Sequence, residues 1–257
     1  MPARAGIAVQ NFGGRPMLVY TPAHLPAAGS RALVVVLHGG LGSAQGIESG
    51  GAEQALSLDA VAEQAGFVVA YLSGTQAIRM FGSDRLAWNA GGGCCGQPAE
   101  RNIDDVGYIQ GAVSALAGRY GIDRSRIYGF GHSNGAMMVQ RLVCETGLFA
   151  AAVPVSGPLN LALDRCPAAA GKRLLAIHGA DDQNVPIAGG RGSKGPSRSV
   201  YNSEARTQQV YVASGASYTL QVVPGADHQL EHIDQAMRRS EGVSLAQKAA
   251  RFFGLLP

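Results

Sequence analysis

Short runs of consecutive apolar residues recur along the chain, and between them apolar residues return every three or four positions. The runs are Leu33, Val34, Val35, Val36, Leu37; then Phe67, Val68, Val69, Ala70, Tyr71; then Ile127, Tyr128 and Phe130; then residues 150–155 and 174–177. Such unbroken runs mark strands buried on both faces. A last strand, residues 218–223, alternates instead. Helical spacing appears at Leu58, Val61, Ala62 and Ala65, closed by Gly66, and at Val106, Ile109, Val113 and Leu116, opened by Asn102, Asp104 and Asp105. It returns at Met137, Met138, Val139, Leu142 and Val143, closed by Gly147, and at Leu245, Ala249, Phe252 and Phe253 near the end. Glycines at those ends suit C-caps, and the acidic residues suit a helix start, where they complement the dipole. At the N-terminus Ile7, Val9, Met17 and Val19 flank Asn11, Phe12, Gly13 and Gly14, a hairpin pattern with glycines for the turn. Strands alternating with helices predict an α/β fold: a doubly wound, mostly parallel sheet with an N-terminal antiparallel hairpin, forming one domain over residues 1–257. Ligands of such sheets sit outside the carboxyl ends of the strands.

The chemistry-bearing residues fall at those ends. After Ile127, Tyr128 and Phe130 comes Gly131, His132, Ser133, Asn134, Gly135, a Gly-x-Ser-x-Gly between a strand and a helix. This is the order of a nucleophile elbow, a sharp turn that lifts a serine hydroxyl above the sheet edge. The run ending at Leu37 leads into His38, Gly39, Gly40, Leu41 and Gly42. Glycines there let backbone N–H groups turn into the crevice, as an oxyanion hole requires, so Gly40 and Asn134 are the expected donors. Asp182 follows the strand at 174–177, and His228 follows the strand at 218–223. The chain order Ser133, Asp182, His228 is that of the α/β-hydrolases. His228 would take the serine proton, and Asp182 would fix the imidazole tautomer. Asp181 and Asp227 are rivals for the acid role. His38 and His178 are expected to brace loops, His24 and His232 to be surface or helix residues, and His132 to line the pocket.

Composition narrows the function. Charged residues make up 15 % and the net charge is +3, with no basic stripe, which speaks against nucleic acid or an anionic membrane as partner. No run reaches the ~18 apolar residues of a membrane span. The start, Met1 to Gly6, has no apolar signal core, so the chain either stays in the cytoplasm or follows a removed leader. Cys94, Cys95, Cys144 and Cys166 lack zinc-ligand spacing, and neither a metal nor another cofactor is expected. Cys144 and Cys166 are both expected on the face opposite the site and could pair; Cys94 and Cys95 are too far to bridge to Cys144, and buried free thiols are the alternative for all four. The long polar stretch 72–101 holds Trp88, the only Trp, with Met80 and Phe81 nearby. A loop of that length is usually functional, which makes Trp88 a candidate substrate wall, the alternative being an anchor that ties the loop to the domain. Nothing in the sequence sets an oligomeric state.

Taken together, several motifs resemble the polyhydroxybutyrate-depolymerase-like esterases, a group overlapping the feruloyl and acetylxylan esterases of carbohydrate esterase family one. They are Leu37, His38, Gly39, Gly40; Trp88 and Asn89 with Cys94, Cys95, Gly96; Asp104, Asp105, Val106, Gly107; Gly131 to Gly135; His178 and Gly179 with Asp182, Val185 and Pro186; and Gly225 to His228. The resemblance covers residues 33 to the C-terminus. It implies a secreted or periplasmic serine esterase without a metal, acting on feruloyl or acetyl esters of plant polysaccharide, or on short hydroxyalkanoate and aryl esters. An acyltransferase with the same triad is the alternative. It also implies Ser133, Asp182 and His228 as the triad, and a Cys144–Cys166 bridge. The chain departs from that pattern in having His132 and Ala136 where Met and a second Gly are common, and Gln229 where a Trp often follows the histidine. These positions bear on the shape of the acyl pocket. With no C-terminal binding module, soluble or side-chain esters are expected rather than crystalline polyester.

Overall fold

The apolar runs become the middle of one sheet. A computed structural model describes residues 5–78, 85–195, 197 and 199–257. Eight strands, β1 (Gly6–Phe12), β2 (Arg15–Thr21), β3 (Arg31–Leu37), β4 (Val68–Leu72), β5 (Ile122–His132), β6 (Ala151–Val155), β7 (Arg173–Gly179) and β8 (Ser217–Val223), lie in the order β1-β2-β4-β3-β5-β6-β7-β8. β1 pairs antiparallel with β2 and β2 with β4, and every later pairing is parallel. The hairpin turns on Gly13 and Gly14, both at positive φ, as the sequence implied.

Period-two geometry sends alternate side chains of β3 to opposite faces: Leu33, Val35 and Leu37 join one apolar core, Val34 and Val36 the other. Six longer helices cover the faces: α1 (Asp59–Ala65), α2 (Asp105–Tyr120), α3 (Asn134–Thr146), α4 (Glu204–Ala213), α5 (Leu230–Glu241) and α6 (Leu245–Phe252). α2, α3 and α4 close the first core; α1, α5 and α6 close the second. Gly66, Gly121, Gly147 and Gly242 end helices in the left-handed conformation. Among the described residues no helix is long and apolar enough to cross a membrane.

Three differences from the sequence reading have physical reasons. β5 begins at Ile122, earlier than its apolar run, because a register shift opposite Arg31 and Leu33 lets the polar segment continue the strand. The 72–101 stretch is not one loop: it holds a two-stranded ribbon, Thr75–Gln76 with Leu86–Ala87, and a short helix, Gly96–Glu100. Met80 and Phe81 lie outside the described residues. Asp104 caps α2 by accepting from the Gly107 N–H (2.8 Å), but Asp105 does more than complement the dipole. It is fully buried, pairs with Arg15 on β2, and accepts from the Asn89 N–H at 2.7 Å, tying the hairpin and the 72–101 stretch to α2.

Cys144, near the end of α3, is bonded to Cys166, closing a span of 22 residues. A crosslink of that span contributes about 3 kcal/mol, chiefly by restricting the unfolded chain. Cys94 and Cys95 are bonded to each other across a cis peptide.

Candidate active site

β5 delivers Ser133 to the top of the sheet in a conformation few residues adopt, φ 53° and ψ −120°. Its N–H donates to the Val155 carbonyl (2.8 Å), which fixes the turn against β6. The flanking glycines are sterically required. A Cβ on Gly135 would run into the carbonyl oxygens of Leu37 and His38, and one on Gly131 would lie 2.8 Å from the Gly135 carbonyl group.

The structure brings Ser133, His228 and Asp182 into one line. Ser133 Oγ is 2.9 Å from His228 Nε2, and His228 Nδ1 is 2.7 Å from Asp182 Oδ2. Asp182 Oδ1 accepts from the N–H groups of Asn184 and Val185, each at 2.9 Å. Its rivals are elsewhere. Asp181 is exposed, and the exposed Asp227 carboxylate bonds the Gln229 N–H and the His232 ring at 2.8 Å. Burial alone would raise the Asp182 carboxyl, but hydrogen bonds from His178 and His228 outweigh it and hold it well below the ordinary carboxylate range. His228 is depressed below the usual histidine value, first by burial and further by the neighbouring His132, with the Asp182 bond opposing. The site thus favours an ionised acid beside an unprotonated imidazole, the state in which a histidine accepts a proton.

Gly40 and Asn134 stand side by side: a Cβ on Gly40 would be 3.7 Å from the Asn134 Cβ. Asn134 opens α3, so its N–H has no acceptor within the helix. Around Gly40 the neighbouring N–H groups are spent, Gly39 on Glu53 Oε1 (2.6 Å), Leu41 on the Leu86 carbonyl (2.7 Å) and Gly42 on the Gly39 carbonyl (3.1 Å). Among the described residues the Gly40 N–H has no protein acceptor. Two free donors beside a serine can receive an oxyanion.

Trp88 requires a correction. Its side chain has no exposed surface, and its Nε1 donates to the His38 carbonyl at 2.9 Å. The Asn134 side chain bonds the Trp88 backbone twice, accepting from its N–H (2.7 Å) and donating to its carbonyl (3.0 Å). Trp88 is therefore an anchor beneath the 38–42 loop and not a wall of the crevice; a flat ring of that size is better buried when its single donor finds a partner. His132 is also more brace than lining. Its Nδ1 lies 3.2 Å from Glu53 Oε1 and its Nε2 3.0 Å from the His228 carbonyl, so both nitrogens face protein partners. Glu53, which holds both the Gly39 N–H and His132, escaped the sequence reading because it lies in a polar connection with no motif around it. His38 and His178 brace loops: His38 Nε2 accepts from the Gly74 N–H (3.0 Å), and His178 lies 2.9 Å from the Val185 carbonyl.

Solved structures match this fold over nearly the whole chain. The carboxylesterase of Bacillus cereus superposes with a TM-score of 0.64 at 16 % identity, covering 94 % of each chain. The acetyl xylan esterase of Aspergillus awamori gives 0.61 at 17 %, covering 98 % of this chain and all of its own. The chain has the α/β-hydrolase fold. Another α/β-hydrolase match, the poly(3-hydroxybutyrate) depolymerase LpqC of Bordetella parapertussis, gives 0.58 at 20 %, covering 96 % and 95 %. In sequence, the chain is 30 % identical over 163 residues to NocK, a protein of Nocardia uniformis subsp. tsuyamanensis with a provisional esterase name. That alignment takes in 62 % of this chain and 42 % of NocK, so the chain spans less than half of its relative. No family model matches the chain.

Proposed function

We propose that this chain is a serine carboxylic-ester hydrolase working through an acyl-enzyme. The observation that carries the reading is the unbroken contact series from Ser133 Oγ to His228 to Asp182, at 2.9 and 2.7 Å. Ser133 Oγ attacks the ester carbonyl while His228 Nε2 takes its proton, and Asp182 stabilises the resulting imidazolium. The N–H groups of Gly40 and Asn134 receive the negative oxygen of the tetrahedral intermediate, and the N-terminus of α3 adds its dipole. His228 then protonates the leaving alcohol. A water, deprotonated by the same nitrogen, releases the acid and restores Ser133.

Acetyl, feruloyl or short hydroxyalkanoate esters are the proposed substrates. The motif resemblance supports this, and so do the printed names of the structural matches, which include an acetyl xylan esterase and a poly(3-hydroxybutyrate) depolymerase. We place the protein outside the cytoplasm, a location that the Cys144–Cys166 bridge suits.

The test is hydrolysis of p-nitrophenyl acetate, with a panel of feruloyl, acetyl-xylan and hydroxybutyrate-oligomer esters to define the acyl group. Ser133→Ala is expected to lower turnover by several orders of magnitude without loss of fold. Retention of more than about a tenth of the activity would overturn the assignment.

A further inference from the structure

The carboxylate that orients His228 has a second imidazole behind it. His178, near the end of β7, has a fully buried side chain and precedes Asp182 by four residues. Its Nδ1 lies 2.8 Å from Glu204 Oε1; its Nε2 lies 2.9 Å from the Val185 carbonyl oxygen and 3.3 Å from Asp182 Oδ2. A carbonyl oxygen and a carboxylate can only accept. Glu204 is committed as an acceptor too: its Oε2 receives the Tyr218 hydroxyl at 2.5 Å, and it sits in the first turn of α4, where the helix dipole favours negative charge. A neutral imidazole carries one hydrogen and would turn a lone pair on one of these acceptors, whereas a doubly protonated ring satisfies both sides. Two carboxylates meeting in a buried site also call for a cation between them.

We propose that His178 is held as an imidazolium between Asp182 and Glu204 and, acting through Asp182, keeps His228 a free base ready for the Ser133 proton. The proposal rests on the triad reading above, and His178 is a positioning residue, since it touches neither Ser133 nor the oxyanion donors. The physical reason is charge sharing. A buried carboxylate bonded only to His228 would stabilise the protonated ring so well that it would keep its proton at neutral pH and be useless as a base. A cation on the far side of Asp182 draws part of that charge away and repels a second positive ring.

His178 faces Asp182 from its own loop and Glu204 from α4, with Tyr218 of β8 and Tyr211 of α4 near Glu204; His228 faces Asp182 and, 4.9 Å away between ring centres, His132. Burial works against charge on His178, but the bonds to Asp182 and Glu204 prevail and lift it to about 9.

The direct test is nitrogen NMR of the histidine side chains in the wild-type protein. The expected result is both nitrogens of His178 protonated at every pH up to about 8. A single neutral tautomer at pH 7 would overturn the proposal. This spectrum needs no turnover, so it stands even if the wild type proves inactive on every ester, a result that would sink the esterase reading instead. In kinetics, His178→Gln and Glu204→Gln should each move the acid limb of kcat/KM for p-nitrophenyl acetate upward, by about one pH unit, because His228 then holds its proton more tightly. A lower melting temperature with an unmoved acid limb would mean that His178 is only structural, and the proposal would fall.

Discussion

Around Ser133, the groups proposed to handle the proton and those proposed to receive the oxyanion are held in different ways. Asp182 sits in the turn that follows β7, and His178 near the end of that strand: Asp182 bonds the N–H groups of Asn184 and Val185, and His178 meets Asp182 and the Val185 carbonyl. His228 joins them from the loop that follows the adjacent parallel strand, β8. The oxyanion side is tied through distant positions. The Gly39 N–H depends on Glu53, the His38 carbonyl on Trp88, and Trp88 on Asn134. A local turn can be damaged chemically without disturbing the fold, whereas a mesh of distant contacts cannot be cut without loosening what it supports.

That contrast can be broken from either end. The largest effect is expected from Asp182→Asn, which keeps the shape but allows the wrong histidine tautomer; turnover should fall by ~10⁴, as in the serine-protease precedent. Asp181→Asn, on an exposed side chain, should leave turnover within a factor of about two. The reverse ranking, measured on p-nitrophenyl acetate, would move the acid role to Asp181.

Trp88→Ala cuts the other side. Removing a fully buried indole should cost about 3–5 kcal/mol in denaturant unfolding. Activity should fall by the same factor on acetyl and feruloyl esters, because the fully buried ring supports the 38–42 loop and does not reach the crevice. A loss confined to bulky esters, with stability unchanged, would restore Trp88 as a substrate wall.

The same contrast explains how much could be read from the sequence. The strand pattern, the glycines that end α1 and α3, the elbow around Ser133 and the acid after β7 are all local signals, written in consecutive residues or in a fixed period. α4 went unread because only Thr207, Val210 and Tyr211 of its middle turns are buried, too few for a clear apolar stripe. Glu53 and Glu204 went unread as parts of the site because each acts on a partner far along the chain, at separations of 79 residues for His132 and 26 for His178. Trp88 was visible as singular, but its burial depends on the His38 carbonyl, 50 positions away, being free to accept from it.

If Ser133 is the nucleophile, a reagent that captures activated serines should bond to it. The protein would be treated with a fluorophosphonate, digested, and mapped by mass spectrometry alongside Ser133→Ala. A single adduct per chain is expected, on the peptide that carries Ser133, with loss of ester hydrolysis in proportion to labelling and no adduct in the variant. An adduct on another residue, or full labelling of Ser133 with hydrolysis intact, would contradict it.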